Sequence, residues 1–416
     1  EAGDADAQDS VNPFNILAMP TSALAQLRAA ERWARTIPGP SPVSRRPLSA
    51  TRSERLRVGF VSSDFRPHPM VYLSIAYWER FDRDRFETFA YGIQTPDRGP
   101  IGTRVARAFE HFADVSEAPV GAIAERIRGD GIEVLIDLNG YTRNSREQIF
   151  ALRPAPIQIN YLGYPGTLGA DWYDYALVDR YSGPDALQPF FSERLLPLPH
   201  MSIPSHPARL PAGPAPARAE CGLPNDAFVF ACFNNAYKIL PDVFAVWMRL
   251  LHATERSVLW LAESGADPEA SLRSSARAAG IDPARVVFAP RAPLERHLAR
   301  IAAADLVIDS FPYGAHTTAN DALLAGVPLV THAGETLVTR IAGSQLLATG
   351  LPELVTSDRT AYEALARELA QNPGELSRFR ARLAANRSSF PLFDTARFTR
   401  DFETALLRAR DQIASL

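Results

Sequence analysis

The sequence contains very little cysteine and almost no lysine. Its two cysteines, Cys221 and Cys232, are too few for a disulfide framework or a cysteine-based zinc site, and this sparing use fits a reducing compartment. Lys238 is the only lysine, so arginine supplies every other basic side chain among the 44 Lys and Arg residues. A single lysine in an arginine-based chain indicates either an accident of composition or a position that requires a compact ammonium group.

Excess positive charge and long apolar runs are lacking as well. The 44 basic residues face 47 acidic ones, and the formal net charge of -3 argues against a nucleic-acid partner. No apolar run reaches the roughly 18 residues that a membrane helix needs. The acidic start Glu1-Ala2-Gly3-Asp4 also lacks the basic segment of a signal peptide. We therefore expect a soluble, cytoplasmic protein with no membrane partner, while the oligomeric state stays open.

Several catalytic signature motifs are missing too. The sequence has no Gly-x-Gly-x-x-Gly after its first predicted strand and no Gly-x-x-x-x-Gly-Lys, which argues against dinucleotide and nucleoside-triphosphate binding. It has no His-Glu-x-x-His and no paired-cysteine motif, so we predict no metal site. It also has no Gly-x-Ser-x-Gly, which argues against a serine hydrolase.

Short apolar runs that alternate with helical segments make up most of the chain. Apolar residues are 46% of the 416 residues, which suits a globular chain of two or three domains. Strands are predicted at 58–61, 86–93, 134–136, 157–162, 175–178, 228–233, 258–262, 286–289, 306–308 and 328–331. Helices are predicted at 23–36, 119–128 and 394–413, with further helix starts at Pro241 and Pro293. This alternation predicts an α/β fold of two doubly wound, Rossmann-like lobes that face a cleft.

Proline-rich segments divide this pattern into domains. We predict an N-terminal helical segment with a Pro-rich connector over 1–54, an N-terminal catalytic lobe over 55–203, a Pro-rich linker over 204–220, a C-terminal catalytic lobe over 221–390 and a C-terminal helix over 391–416. Ligands of doubly wound sheets bind at the carboxyl ends of the strands. Candidate functional residues are therefore sought directly after the predicted strands.

The stretch from Ala304 to Leu324 is the most informative of these strand ends. A strand is followed by a Pro/Gly turn and by a helix that opens at His316-Thr317-Thr318. The first amides of a helix are unpaired and lie at its positive end, so this start could bind a phosphate, and Asp321 could accept from sugar hydroxyls. The alternative is that the threonines cap the helix and Asp321 offsets its dipole.

Other strand ends carry weaker candidates. Lys238 follows the first strand of the second half, where its ammonium could meet a diphosphate, or it is a lysine on a solvated loop. His68, between two prolines, could serve acid–base chemistry, or it is a surface histidine. His297 could stack on a base, or it is an exposed helical histidine. The glycines of 137–142 and 162–167 permit close backbone approach to a ligand, or they belong to ordinary turns.

Taken together, several segments resemble the catalytic region of the protein O-GlcNAc transferases of glycosyltransferase family 41, bacterial homologues in particular. They are, in chain order, 61–69, 137–142, 152–158, 162–167, 233–238, 316–321 and 334–340. The resemblance implies a two-lobed GT-B enzyme that moves GlcNAc from UDP-GlcNAc to Ser/Thr hydroxyls of a protein or peptide acceptor and releases UDP. It further implies inversion at the anomeric centre, with neither a metal nor another cofactor.

The resemblance also implies roles for individual residues. His68 looks like the histidine proposed as catalytic base, or like a residue that positions the acceptor, and Lys238 looks like the lysine that contacts the diphosphate. The residues implied for UDP binding are Asn235, Lys238, Ala289, Arg291, His297, Arg300, His316, Thr317, Thr318 and Asp321. Those implied for the sugar end are Pro165, Gly166 and Tyr313.

The sequence departs from the family pattern in two places. Leu294 stands where animal members carry a lysine, and only a short helical segment precedes the catalytic region, where the family usually has tetratricopeptide repeats. Acceptor recognition is therefore not supported by this chain. Two alternatives remain at this point: a GT-B transferase with another UDP-sugar or a non-protein acceptor, and a non-catalytic UDP-sugar-binding module.

Overall fold

Two α/β units make up the chain in a computed structural model that describes residues 11–39, 54–210 and 213–414. The first unit is Glu1–His206 together with Thr395–Leu416, and the second is Pro207–Asp394. The connector predicted from the sequence falls largely on 40–53, and part of the linker on 211–212, so both lie partly outside the described residues.

The first unit is built on a parallel seven-stranded sheet in the order β3-β2-β1-β4-β5-β6-β7. Its strands are β1 Leu56–Ser62, β2 Phe86–Gly92, β3 His111–Asp114, β4 Val134–Asp137, β5 Ile157–Asn160, β6 Tyr175–Asp179 and β7 Arg194–Leu198. The central strands β4 and β5 are buried along their whole length, and β1 is buried except at Arg57, as expected for a parallel sheet with helices on both faces.

The second unit is built on a six-stranded parallel sheet in the order β10-β9-β8-β11-β12-β13. Its strands are β8 Phe228–Cys232, β9 Ser257–Ala262, β10 Val286–Ala289, β11 Leu306–Ile308, β12 Leu329–His332 and β13 Val355–Thr356. In both units the first strand along the chain lies at the centre of the sheet, and later strands are added first on one side of it and then on the other. This is the doubly wound topology that the sequence predicted.

Helices connect the strands, and local sequence accounts for where many of them begin. They are α1 Pro13–Ile16, α2 Ala23–Arg35, α3 Pro69–Trp78, α4 Pro100–Ala108, α5 Val120–Gly129, α6 Gln148–Ala151, α7 Pro241–Ala253, α8 Ala266–Ala278, α9 Leu294–Ile301, α10 Thr317–Leu324, α11 Ile341–Leu347, α12 Arg359–Gln371, α13 Pro373–Asn386 and α14 Thr395–Ala414. Ser22 caps α2 by accepting from the Ala25 amide at 3.2 Å, and Pro69 occupies the first turn of α3.

The last helix, α14, returns to the first unit. Phe398 and Phe402 pack against Tyr77 of α3 with ring centroids 5.2 and 5.1 Å apart. Glu403 accepts from the Asp82 amide at 2.7 Å. The C-terminal helix predicted from Asp394 is therefore confirmed, within one residue at each end, and it completes the core of the first sheet.

Every strand predicted from the sequence is present, and the α/β class with two doubly wound sheets is confirmed. Three strands were missed, for recognisable reasons. β3 is a four-residue edge strand without a fully buried residue, β7 contains Pro197, and β13 has only two residues. Edge strands need little apolar character because only one side of them is paired.

Candidate functional site

The strand order of the second unit reverses between β8 and β11, which are neighbours at the centre of the sheet. Both strands are parallel, so the residues that follow them emerge at the same edge. Lys238 follows β8, and the loop from Asp309 to His316 follows β11. Such a switch point is where doubly wound proteins bind their ligands.

Lys238 is buried at the end of the 3₁₀ turn Ala236–Lys238. Its Nζ atom donates to Gly314 O at 3.1 Å and lies 3.6 Å from the centroid of the Tyr313 ring. Burial lowers the pKa of Lys238 to about 8, although the Asp309 carboxylate opposes this shift. Because an ammonium carries three donors, Lys238 retains donors for an anionic ligand.

A network of buried polar side chains holds the loop after β11 in place. Asn234 Nδ2 donates to Asp309 Oδ1 at 3.2 Å and to Ser310 Oγ at 2.8 Å. Thr318 Oγ1 in turn donates to Asn234 Oδ1. The network therefore ties the end of β8 to the loop after β11 and to the first turn of α10.

Asp309 is the centre of this network. It accepts from Thr331 Oγ1 and from the Ala315 amide, each at 2.7 Å, and from the Ser310 amide at 2.8 Å. Burial raises its pKa to about 6, while these donors and Lys238 oppose the increase. The carboxylate thus fixes the backbone that leads into α10 and adds a negative charge near the Lys238 ammonium.

The start of α10 lies beside Lys238. His316 precedes the helix, and its ring is tilted against Tyr313 with centroids 5.1 Å apart. Burial and the Lys238 cation hold the pKa of His316 well below its usual range, so the ring is neutral at pH 7. The amides that follow, beginning at Thr317, are the unpaired donors of a helix start. The Lys238 ammonium and the first amides of α10 are therefore donors that could bind an anion together.

Asp321, one turn further along α10, is paired with a cation that sequence reasoning missed. Arg209 Nη2 donates to Asp321 Oδ1, and it also donates to Asn320 Oδ1 at 2.9 Å. The two charged side chains are only 5% and 7% exposed. Burial raises the pKa of Asp321, and the guanidinium opposes this increase.

His297 and Arg300 form a second cluster on α9. Arg300 Nε and Nη2 lie 3.2 and 3.0 Å from His297 Nδ1, and Arg300 Nη1 donates to Pro290 O at 2.7 Å. Burial and the charges of Arg300 and Arg209 lower the pKa of His297 to about 4. The ring is therefore neutral, and since Nδ1 accepts, its proton is on Nε2. The ring edge packs on Phe233 with centroids 5.2 Å apart.

The remaining residues implied for UDP binding occupy different environments. Ala289 is buried at the end of β10, and its carbonyl accepts from the Glu263 amide at 2.9 Å. Arg291 is exposed, and its amide donates to Glu263 Oε2 at 3.0 Å. Asn235 is also exposed, on the turn before Lys238. The contacts described above bring Lys238, Tyr313, His316 and Thr318 together and do not include these three residues. The ligand-binding role of every residue in both groups stays a prediction from the resemblance.

In the first unit the strand order reverses between β1 and β4, and His68 follows β1. His68 caps α3, with its Nδ1 atom accepting from the Met70 amide at 3.4 Å. Burial lowers the pKa of His68, although Asp64 opposes the shift. The ring is therefore neutral at pH 7, and with Nδ1 facing the backbone it carries its proton on Nε2.

The glycine-containing turns of the first unit are built for close backbone contact. Gly163 leaves no space for a side chain, since a Cβ there would lie 2.1 Å from Leu138 O. Pro165 and Gly166 are buried, and Gly166 O accepts from Asn160 Nδ2 at 2.9 Å. The sequence analysis selected the turn over 162–167 for its glycines but did not predict these backbone contacts.

Glu193 is a functional candidate that the sequence analysis missed. It is completely buried and accepts from Thr167 Oγ1 and the Leu168 amide, both at 2.7 Å. Burial raises its pKa, while these donors oppose the increase. Glu193 thereby fixes the segment that follows Pro165 and Gly166. An acidic residue 26 positions away along the chain offers no local signal of this role.

Two searches concern the described residues as a whole. No group of three or more His, Cys, Asp and Glu side chains within 11–39, 54–210 and 213–414 is arranged to hold a metal ion. In the same ranges, no helix is both long and apolar enough to cross a membrane.

Comparison with solved structures defines the class of protein. The chain matches a point mutant of the O-GlcNAc transferase of Thermobaculum terrenum with a TM-score of 0.87 and 29% identity, over 96% of this chain and 76% of that one. It also matches the HepE protein of Anabaena bound to UDP-glucose, with a TM-score of 0.55 and 14% identity, over 87% of this chain, which shows the fold alone. The fold class is therefore that of the GT-B glycosyltransferases.

Sequence comparison identifies the family. The profile of glycosyl transferase family 41 matches residues 40–211 and 213–402, so this chain belongs to that family. It is 36% identical to a probable UDP-N-acetylglucosamine–peptide N-acetylglucosaminyltransferase of Arabidopsis thaliana and 29% identical to the corresponding transferase of Caenorhabditis elegans. These alignments cover 96% and 95% of this chain, but only 42% and 45% of the relatives. The chain thus spans less than half the length of either protein.

Proposed function

We propose that this chain is the catalytic region of a transferase that moves N-acetylglucosamine from UDP-GlcNAc to Ser or Thr hydroxyls of a protein. Membership of family 41 and the names of the two relatives support this donor and this class of acceptor. The observation that carries the proposal is the buried Lys238 ammonium beside the start of α10. Such a combination of cation and helix amides suits an anion, and a diphosphate is the anion of the proposed donor.

The proposed reaction is a single displacement with inversion. The acceptor oxygen attacks C1 of the sugar, the bond between C1 and the diphosphate oxygen breaks, UDP leaves with the bonding electrons, and the hydroxyl proton passes to solvent water. Negative charge grows on the leaving phosphate in the transition state. Lys238 and the amides after His316 stabilise that charge, the role that a divalent cation has in many transferases, and this supports a metal-independent reaction.

His68 acts on the acceptor in this proposal. Its lowered pKa makes it neutral at pH 7, and its Nδ1 atom is engaged by the Met70 amide. Nε2 then presents a proton rather than a lone pair. This geometry supports orientation of the acceptor oxygen by an N–H donor more than removal of its proton. Pro165, Gly166 and Tyr313 are proposed to bind the sugar, and the proposed UDP-binding residues are those implied by the resemblance.

The proposal is tested by incubating the chain with labelled UDP-GlcNAc and a peptide library, followed by mass spectrometry of the products. Addition of one N-acetylhexosamine to Ser or Thr, with matching release of UDP, is the expected result. UDP binding by calorimetry with neither transfer nor donor hydrolysis would contradict it and indicate a binding module. Preferred transfer from UDP-glucose, or only to non-peptide acceptors, would replace the donor or the acceptor named here.

A further inference from the structure

We propose that Arg209 is a nucleotide-binding residue that contacts the uridine end of the donor while it holds Asp321 in place. Arg209 ends the 3₁₀ turn Pro207–Arg209, at the start of the second unit. The inference rests on the proposed function, because it requires a nucleotide site in this unit. It adds to that site a residue from a segment that sequence reasoning treated as a linker.

Arg209 is a buried cation with unused donors. Its Nη2 atom is engaged by Asp321 and Asn320. Its Nε and Nη1 atoms are also buried, yet neither has a hydrogen-bond partner within the described ranges. Unpaired donors on a buried charge are unfavourable, so native proteins rarely keep them without a reason. A ligand that supplies oxygen acceptors would give the Nε and Nη1 donors the hydrogen-bond partners that they lack.

The surroundings of Arg209 indicate which part of the nucleotide it meets. Asp321, which the resemblance implies for the ribose, receives its Nη2 donor. The charge of Arg209 also contributes to the low pKa of His297, which is implied for the base. The contacts of Lys238 are instead with Tyr313 and Gly314, before the start of α10. The free donors of Arg209 therefore match ribose hydroxyls or uracil carbonyls, which UMP and UDP share.

Calorimetric titration with UMP and UDP tests this inference. Arg209→Gln is expected to weaken the binding of both nucleotides by the same factor, about ten- to a hundredfold, which is the usual effect of a lost hydrogen bond to a charged group. Lys238→Ala is the contrasting variant, and it is expected to weaken the binding of UDP much more than the binding of UMP. Arg218→Gln is the matched control, because Arg218 pairs with Asp305 at 2.6 Å, at the amino end of β11, and both affinities should be unchanged.

Two further variants separate binding from folding. Arg209→Lys keeps a cation for Asp321 but lacks the Nε and Nη1 donors, so it should restore the melting temperature and not the affinity. The double variant Arg209→Gln/Asp321→Asn removes both charges together, so its melting temperature should exceed that of Arg209→Gln alone, while nucleotide binding stays weak. A purely structural Arg209 would instead recover affinity together with stability in Arg209→Lys.

The failures of the two proposals are distinguishable. A wild-type chain that binds neither UMP nor UDP contradicts the proposed function itself. A wild-type chain that binds both, with Arg209→Gln and Arg209→Lys within twofold of it, overturns the role of Arg209 alone. A loss confined to UDP would place Arg209 at the phosphates and overturn its placement at the uridine end.

Discussion

The Nζ atom of Lys238 lies 3.6 Å from the centroid of the Tyr313 ring and 3.1 Å from Gly314 O. Both contacts come from the loop after β11. The ammonium therefore contacts an aromatic face and a main-chain carbonyl. A carboxylate in direct contact with Nζ would instead compete with an anionic ligand. The only lysine of the chain therefore lies next to the start of α10, where the proposed diphosphate site requires a positive charge.

UDP affinity is predicted to depend on the protonation of Lys238. Because its pKa is lowered to about 8 in the free protein, the positive charge is present at pH 7 and is lost as pH rises through 8. UDP binding should therefore weaken above pH 8, approaching about tenfold per pH unit, until other groups titrate. Calorimetry from pH 7 to 9.5 measures this slope. The Lys238→Arg variant is the control, since its guanidinium keeps its charge; an equal slope in both proteins would contradict the prediction.

His68→Ala is predicted to reduce transfer by about 10²- to 10⁴-fold, the usual loss for a residue that acts on the reacting hydroxyl, with little change in UDP affinity. The physical reason is that His68 belongs to the first unit, whereas the residues proposed for UDP lie in the second. Steady-state kinetics and UDP calorimetry check the two parts separately.

A second variant controls for the capping role of His68. His68 accepts from the Met70 amide, so His68→Ala should also cost about 1 kcal/mol of stability. His68→Asn keeps a good helix cap and should restore the melting temperature without restoring transfer. Recovery of transfer in the asparagine variant, or transfer in the alanine variant within a few-fold of wild type, would reduce His68 to a structural residue.

Asp309→Asn is predicted to lower both stability and UDP affinity. Asp309 accepts from Thr331, Ser310 and Ala315, so an amide would turn an N–H group toward donors. We expect a loss of about 1–3 kcal/mol in the free energy of unfolding, and about tenfold weaker UDP binding because the loop into α10 loosens.

Asp137→Asn provides the matched control for Asp309→Asn. Asp137 ends β4 of the first unit, accepts from the Asn139 and Gly140 amides and from Tyr173, and has its pKa likewise raised to about 6 by burial. Its variant should be destabilised by a similar amount and bind UDP normally. Equal loss of UDP affinity in the two variants would mean that general destabilisation, rather than the loop, controls binding.

Transfer is predicted to survive excess EDTA. In the proposed reaction, Lys238 and the amides at the start of α10 supply the positive potential that a divalent cation would otherwise supply at the leaving diphosphate. Initial rates with EDTA, and after addition of Mg²⁺ or Mn²⁺, should agree within twofold. Loss of transfer on chelation that either ion restores would contradict the metal-independent reaction.

Much of the architecture could be predicted from the sequence, because buried parallel strands carry unmistakable apolar runs. The strands β1 and β11 are examples, and their following turns pointed to His68 and to the start of α10. Three edge strands were missed, since β3 has no fully buried residue, β7 contains Pro197 and β13 is too short to show a pattern. Periodicity reports burial, and these strands are incompletely buried.

The supporting network of the site could not be predicted, for a different reason. Asn234 and Asp309 meet across 75 residues, and Arg209 meets Asp321 across 112 residues. Such pairs form only because of which strands are neighbours in the sheet, and a local sequence pattern does not indicate the order of the strands. Glu193 and the 165–168 segment show the same limit in the first unit. Local sequence pointed to Lys238 and the start of α10 as candidates, while the tertiary structure revealed the residues that hold them in place.

The most direct measurement is the UDP affinity and transfer rate of Lys238→Arg beside those of Lys238→Ala and wild type. If the ammonium holds the diphosphate, the alanine variant should lose about one to two decades of UDP affinity, equivalent to roughly 1.5–3 kcal/mol, and more in transfer. The arginine variant should also fall at least tenfold in transfer, because its planar group aims its donors differently from the ammonium held by Tyr313 and Gly314, and a cooperative melt checks that the variant is folded. Wild-type kinetics in Lys238→Arg would contradict a diphosphate site built around this lysine.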